Sequence, residues 1–336
     1  MTSDASLLPR IAVIGCGGTI STLSSGPFDY LDYPESGTKL SAEEVIAHMP
    51  QLGVLARLEP LPFREIGSSK MAPQDWCELT ATITQALAED PELAGVVVLH
   101  GTATLEETAY FLDLTLDTDR PVVVVGAQRP LHTVGSDAIA NAAAAVRVAA
   151  AAQSRGRGVL VVLNDEIHAA RDVTKGSTYR VHAFASGVYG PLGVVDADRV
   201  VFMRRSERRR PRGLFAVSAD TALPRVDVLY ACAGVDGTFV RASLAAGARG
   251  LVSAGFAPGM TAPREREALN VAARQGVAIV QCSRVGAGRV ARRQVLRRDG
   301  WIAGDDLTPQ KARVLLMLGL TKTSDPETLQ RYFEDY

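Results

Sequence analysis

Along the chain, short runs of Val, Ile and Leu recur between longer stretches in which apolar residues return every three to four positions. The runs Ile11–Ile14, Val96–Leu99, Val122–Gly126, Val159–Asn164, Val226–Tyr230, Gly250–Ser253 and Val277–Gln281 predict strands. They are continuously apolar rather than alternating, as expected of strands covered on both faces of a parallel sheet. The intervening segments Ala42–His48, Pro73–Ala88, Thr104–Asp113, Ser136–Ala152, Phe239–Ala246 and Ala262–Gln275 predict helices. Strand–helix alternation of this kind reads as an α/β protein with helices over a mostly parallel sheet. The arginine-rich segment Arg204–Arg212 and the hydrophilic stretch after it interrupt the pattern, which restarts at Val226. An N-terminal domain is therefore expected over residues 1–205, a linker over 206–224, and a smaller α/β domain over 225–336.

With 336 residues, 47% hydrophobic and 22% charged, the chain is long enough for two buried cores. A net charge of −1 argues against a general polyanion or nucleic-acid binder. The basic run at Arg204–Arg212 lacks the interleaved aromatics of a nucleic-acid groove and reads as a solvated face. No apolar run is long enough to span a bilayer. The first residues, MTSDASLLPR, have no basic and apolar regions of a secretory signal, so a cytoplasmic protein is expected. Cys16, Cys77, Cys232 and Cys282 are scattered without metal spacing, which predicts reduced thiols and no metal.

Three places carry candidate chemistry. The first strand runs into Gly15-Cys16-Gly17-Gly18-Thr19-Ile20-Ser21. Ile20 stands where a dinucleotide fingerprint needs its third glycine, so the turn offers a hydroxyl instead of a phosphate cradle. The strand Val96–Leu99 feeds His100-Gly101-Thr102-Ala103-Thr104-Leu105-Glu106-Glu107, whose Thr-x-x-Glu order predicts a capping box with free N–H groups beside a second threonine. Arg171-Asp172-Val173-Thr174-Lys175 supplies a lysine, in a chain whose basic residues are nearly all arginine, that is able to tune a threonine hydroxyl.

Taken together, GGTIS, HGTATLEETAYFLDL, VGAQRP, RDVTK with YGPLG, LVSAG, SRV and TPQKARVLLMLGLT occur in an order that closely resembles the bacterial L-asparaginase family over essentially the whole chain. The resemblance implies a flavodoxin-like N-terminal sheet with helices on both faces and a smaller C-terminal α/β domain. It also implies a homodimer or homotetramer, a small-molecule amide substrate, ammonia release through a threonine acyl-enzyme, and no cofactor. By motif, Thr19 matches the first nucleophilic threonine, Thr102 the second, and Lys175 its lysine partner. A lid over Ser24–Gly37 is expected to carry the activating tyrosine, Tyr33 in preference to Tyr30. Ser68, with Ser69 beside it, matches the segment that holds the substrate carboxylate.

The departures are as informative as the matches. Ala103 stands where the family places an aspartate for the substrate α-ammonium, and Lys70 enters the carboxylate-binding segment. The turn after SAG reads Phe256-Ala257-Pro258-Gly259-Met260, and Arg289–Arg298 contains no acidic residue to offer a neighbouring site. The expected activity is hydrolysis of the side-chain amide of L-asparagine or of a related carboxylate-bearing amide. The alternatives are an amide or lactone without an α-ammonium, and a non-catalytic homologue with a binding role.

Overall fold

The computed structural model describes residues 8–207 and 213–336. It divides into two compact units, one formed by residues up to Glu207 with Ala216–Asp220, the other by the stretch ending at Phe215 with Thr221–Tyr336. Residues Arg208–Arg212 of the basic run lie outside the described residues.

The first unit is built on an eight-stranded sheet. Its parallel strands are β1 (Arg10–Gly15), β2 (Arg57–Leu61), β3 (Leu93–Leu99), β4 (Val122–Val125) and β5 (Val159–Leu163), in the spatial order β2-β1-β3-β4-β5. That is the flavodoxin-like order. The sheet continues antiparallel through β6 (Glu166–Ala169), β7 (Gly193–Val195) and β8 (Val200–Phe202).

The apolar runs explain why these strands sit centrally. Ile11 and Val13 face one core with α1 (Ala42–His48) and α4 (Ala138–Ala150), while Ala12 and Ile14 face another with α2 (Pro73–Glu89) and α3 (Leu105–Thr115). Both faces being covered, neither needs polar residues. Helix α1 starts at a capping box in which Ser41 and Glu44 satisfy each other's backbone N–H groups.

The second unit is a four-stranded parallel sheet of β9 (Val226–Tyr230), β10 (Gly250–Gly255), β11 (Ala278–Ser283) and β12 (Ile302–Ala303). It carries α5 (Thr238–Ala245), α6 (Pro263–Arg274), α7 (Pro309–Leu320) and α8 (Pro326–Asp335). The mixed α/β architecture with a separate, smaller C-terminal sheet is the one the hydrophobic pattern predicts.

Several elements were not predicted, for identifiable reasons. Strand β2 reads RLEPL and lies at the sheet edge, half exposed, where Pro60 leaves no central ladder bond unmade. Strands β6, β7 and β8 are three or four residues long. Helix α7 buries Lys311, Ala312 and Val314–Gly319, so it has no polar face to give it a helical period. Among the described residues no helix is long and apolar enough to cross a membrane.

Candidate active site

In a doubly wound sheet, ligands bind beyond the carboxyl ends of the strands where the chain switches direction, here between β1 and β3. The two threonine turns leave those two strands. The turn after β1 begins with Cys16, whose N–H still bonds Leu99 O at 2.8 Å, and then rises through Gly17 and Gly18 at φ of 76° and 88°. Both values are left-handed and open to glycine at little cost. A Cβ on Gly18 would lie 2.1 Å from Gly101 Cα, so the two turns touch main chain to main chain. Thr19 follows in a single 3-10 turn, closed by Ser21 N–H and the Thr22 hydroxyl on Gly18 O at 3.0 and 2.8 Å.

Thr19 is almost fully buried, and its hydroxyl lies 2.9 Å from the Tyr33 hydroxyl. Tyr33 opens a four-residue helix inside the Ser24–Gly37 segment. The neck of that segment is a short antiparallel pair of Thr22-Leu23 with Thr38-Lys39. Tyr30 points elsewhere, donating to Val134 O at 2.7 Å with the Arg129 guanidinium over its ring. Sequence reasoning missed Asp29, whose carboxylate accepts from the N–H groups of Asp32 and Tyr33 at 3.0 and 3.1 Å. These bonds and the Ser25 hydroxyl hold its carboxyl below the usual range. The available signal was an aspartate ahead of a proline-containing turn, an Asx-type arrangement.

The turn after β3 places Thr102, also nearly buried, within 2.7 Å of Lys175 Nζ, which donates to its hydroxyl. Lys175 sits on a two-residue strand, Thr174-Lys175, paired with Phe184-Ala185. Burial pushes its amine below the ordinary lysine value, and Glu106 opposes the shift. The same turn begins at buried His100, whose imidazole bonds Gly101 O at 2.7 Å and is pushed down by burial to about 4.

The expected capping box at Thr104 does not form. Thr104 is the N-cap of α3 but its hydroxyl donates to Ser68 O at 2.8 Å, while Ser68 Oγ takes the Ala103 N–H at 3.1 Å. The carbonyl of a neighbouring turn competes successfully for the threonine hydroxyl, and one of the N–H groups expected to be free is occupied. Ser68 is buried, whereas Ser69, Lys70 and Ala103 are exposed beside it. Lys39 donates to Tyr33 O at 3.2 Å; burial, helped by Lys70, pushes its amine down, and Glu35 opposes the shift. The structure thus gathers Thr19 with Tyr33, Thr102 with Lys175, and Ser68 with Ala103, and it separates Tyr30 from them. Among the described residues no cluster of side chains has the makings of a metal site.

Two hydroxyls, each held against an ionisable side chain at the switch point of a flavodoxin-like sheet, define an α/β protein equipped for nucleophilic chemistry. Residues 10–208 match the family described as asparaginase, N-terminal, and residues 225–333 match the glutaminase/asparaginase C-terminal domain. The chain belongs to the asparaginase family. It is 39% identical to a probable periplasmic L-asparaginase of Haemophilus influenzae, covering 99% of this chain and 95% of that one. It is 37% identical to L-asparaginase 2 of Escherichia coli, covering 98% and 94%. The crystal structure of a probable cytoplasmic L-asparaginase from Campylobacter jejuni superposes with a TM-score of 0.92 at 37% identity, covering 98% of this chain and 100% of that one.

Proposed function

We propose that this chain hydrolyses the side-chain amide of L-asparagine, or of a related carboxylate-bearing linear amide, through an ester on Thr19. The observation that carries the reading is the pairing of each threonine hydroxyl with a proton-handling group, Thr19 with Tyr33 at 2.9 Å and Thr102 with Lys175 at 2.7 Å. A threonine hydroxyl is a weak nucleophile until a neighbour takes its proton. Thr19 Oγ1 attacks the amide carbonyl carbon as its proton passes to the Tyr33 oxygen, and Tyr33 hands its own hydroxyl proton on toward the amide nitrogen. The C–N bond then breaks as the nitrogen is protonated and leaves as ammonia. Water adds to the ester as its proton passes through Thr102 to the neutral Lys175 amine; the Thr19 Oγ1–carbon bond then breaks, Oγ1 regains a proton through the Tyr33 hydroxyl and the acid is released. Ser68 orients the substrate carboxylate by its hydroxyl. The segment Ser24–Gly37 closes over the substrate and brings Tyr33 with it.

The relatives carry names of L-asparaginases and glutaminase-asparaginases, which supports an amide substrate of this size. A narrower reading is favoured by the mouth of the site. Ala103 brings no charge there and Lys70 brings a positive one, while Lys39 is balanced by Glu35. An ammonium left without a carboxylate forgoes a charge-assisted bond of about 1.5–3 kcal/mol, roughly 10–100-fold in discrimination. A substrate with a neutral or anionic substituent at that carbon is then preferred to a free α-amino acid. The proposal includes a homodimer or homotetramer and a cytoplasmic location; light scattering and cell fractionation test these. The central test is ammonia release from L-asparagine, L-glutamine, succinamate and N-substituted amides, by the parent and by Thr19→Ala. Turnover in the parent that vanishes in the variant is the expected result; parent-like rates in Thr19→Ala refute the mechanism.

A further inference from the structure

Glu106 lies in the first turn of α3 and is buried, a place where a carboxylate needs partners. Its Oε1 accepts the backbone N–H of Lys175 at 3.2 Å. The side chain of that same lysine reaches Thr102 Oγ1. Thr102 and Glu106 belong to one continuous turn into α3, so a single segment grips Lys175 at both its main chain and its amine.

The other side of the lysine is fixed too. Lys175 pairs with Phe184 and Thr174 with Ala185, and Gly176 N–H bonds Ala183 O at 2.7 Å. Ser186, the next residue, is buried with its hydroxyl 2.9 Å from Nδ1 of the buried His168 on β6. The hairpin is thereby tied to the sheet behind it and to α3 in front. The bond to Glu106 ties the lysine's main chain to the same turn that carries Thr102.

We propose that Glu106 is a positioning residue for the Thr102–Lys175 pair, its carboxylate holding the Lys175 main chain where the side chain meets the threonine hydroxyl. The inference rests on the reading that Lys175 moves protons for Thr102. The charge of Glu106 acts on the same group. Burial drives the amine toward its neutral form and Glu106 restrains that drift. Thr102 and the paired Phe184 are uncharged, and Asp172, three residues before the lysine in the chain, faces Arg171 and Arg204 at 3.7 and 3.8 Å.

The sign of the effect follows. A neutral amine takes the threonine proton, so activity rises with pH as Lys175 loses its own. Removing the Glu106 charge lowers the amine's proton affinity and moves the acid limb of kcat to lower pH.

Two variants separate charge from reach. Glu106→Gln keeps an oxygen for the Lys175 N–H and deletes the charge; its acid limb is expected to move to lower pH. Glu106→Asp keeps the charge and withdraws the oxygen by one methylene; its limb stays in place while kcat falls about 10–100-fold with KM little changed. An unmoved limb in Glu106→Gln, or a kcat within twofold of the parent in Glu106→Asp, overturns the proposal, whatever either does to Tm. Should Glu106→Gln fail to fold, the aspartate variant decides alone. Lys175→Met tells the two readings apart. If it retains turnover, the Thr102–Lys175 reading fails. If it is inactive while Glu106→Gln keeps the parent profile, only the role of Glu106 fails.

Discussion

Replacing Tyr33 by Phe removes one oxygen, the one lying 2.9 Å from Thr19 Oγ1, and leaves the ring in place. Two effects compete in what such a variant shows. The hydrogen bond contributes about 0.5–1.5 kcal/mol to the folded state, and less here because Tyr33 is only half-buried on a four-residue helix. The catalytic effect is larger: a positioned proton acceptor is worth about 10²–10⁴-fold in rate, which at 1.36 kcal/mol per decade is roughly 2.7–5.5 kcal/mol of barrier. The Tm of Tyr33→Phe is therefore expected to move by a few degrees at most while kcat collapses. Tyr30→Phe is the matched control. It removes a hydroxyl bonded to Val134 O in the same segment, at similar cost to the fold, and its kcat is expected to stay within a few-fold of the parent. Steady-state ammonia release with saturating amide, beside thermal unfolding of all three proteins, measures both quantities. If Tyr30→Phe loses more turnover than Tyr33→Phe, or Tyr33→Phe keeps a third of the parent rate, the 2.9 Å contact has no catalytic meaning and Thr19 takes its base from elsewhere.

Other outcomes follow from the same geometry. Thr102→Val and Lys175→Met are each expected to cost several orders of magnitude in kcat, and the double variant little more, because the pair acts as a unit; additive losses in kinetic assay contradict this. Ala103→Asp is expected to raise kcat/KM for L-asparagine relative to succinamate by about 10-fold, and a parent that already strongly prefers L-asparagine refutes the reading of position 103. His100 is held near 4 against an ordinary 6.5, so the unfolded chain binds its proton first as pH falls; stability is full above about 6.5 and declines by up to ~3 kcal/mol toward pH 4. His100→Asn should flatten that part of a urea-denaturation pH series, and an unchanged slope there rules the group out. Gly18→Ala meets both a φ of 88° and Gly101 main chain, and is expected to lower Tm by several degrees and turnover by at least about 100-fold.

The central parallel strands and most helices were readable because double-sided burial leaves continuous apolar runs and one-sided burial leaves a period near 3.6. The edge strand β2 and the short strands β6 to β8 gave no such imprint, since few of their side chains enter a core in a regular order. The positions of Thr19 and Thr102 followed from strand ends, which local sequence marks well. What joins them did not. That the Thr104 hydroxyl serves Ser68 instead of its own helix, and that Asp29 grips Tyr33, depends on segments brought together from distant parts of the chain or folded in a tight loop, and no local pattern encodes such a choice of partner. Of the two tyrosines, spacing favoured Tyr33 over Tyr30, but only the turn built on Asp29 shows why their hydroxyls diverge.

The apposition of Gly18 and Gly101 works as a gauge block between the two halves of the site. Because the β1 and β3 turns meet main chain to main chain at Gly18 and Gly101, no side chain stands between them at that point. Core substitutions can therefore accumulate on either face of the sheet and tax stability without bringing a side chain into that contact. The converse holds for an engineer. Ser69, Lys70 and Ala103 lie exposed around the mouth and are free to be varied for a new substrate, whereas positions 18 and 101 admit no side chain, and any redesign of specificity has to be fitted around a spacing already cut.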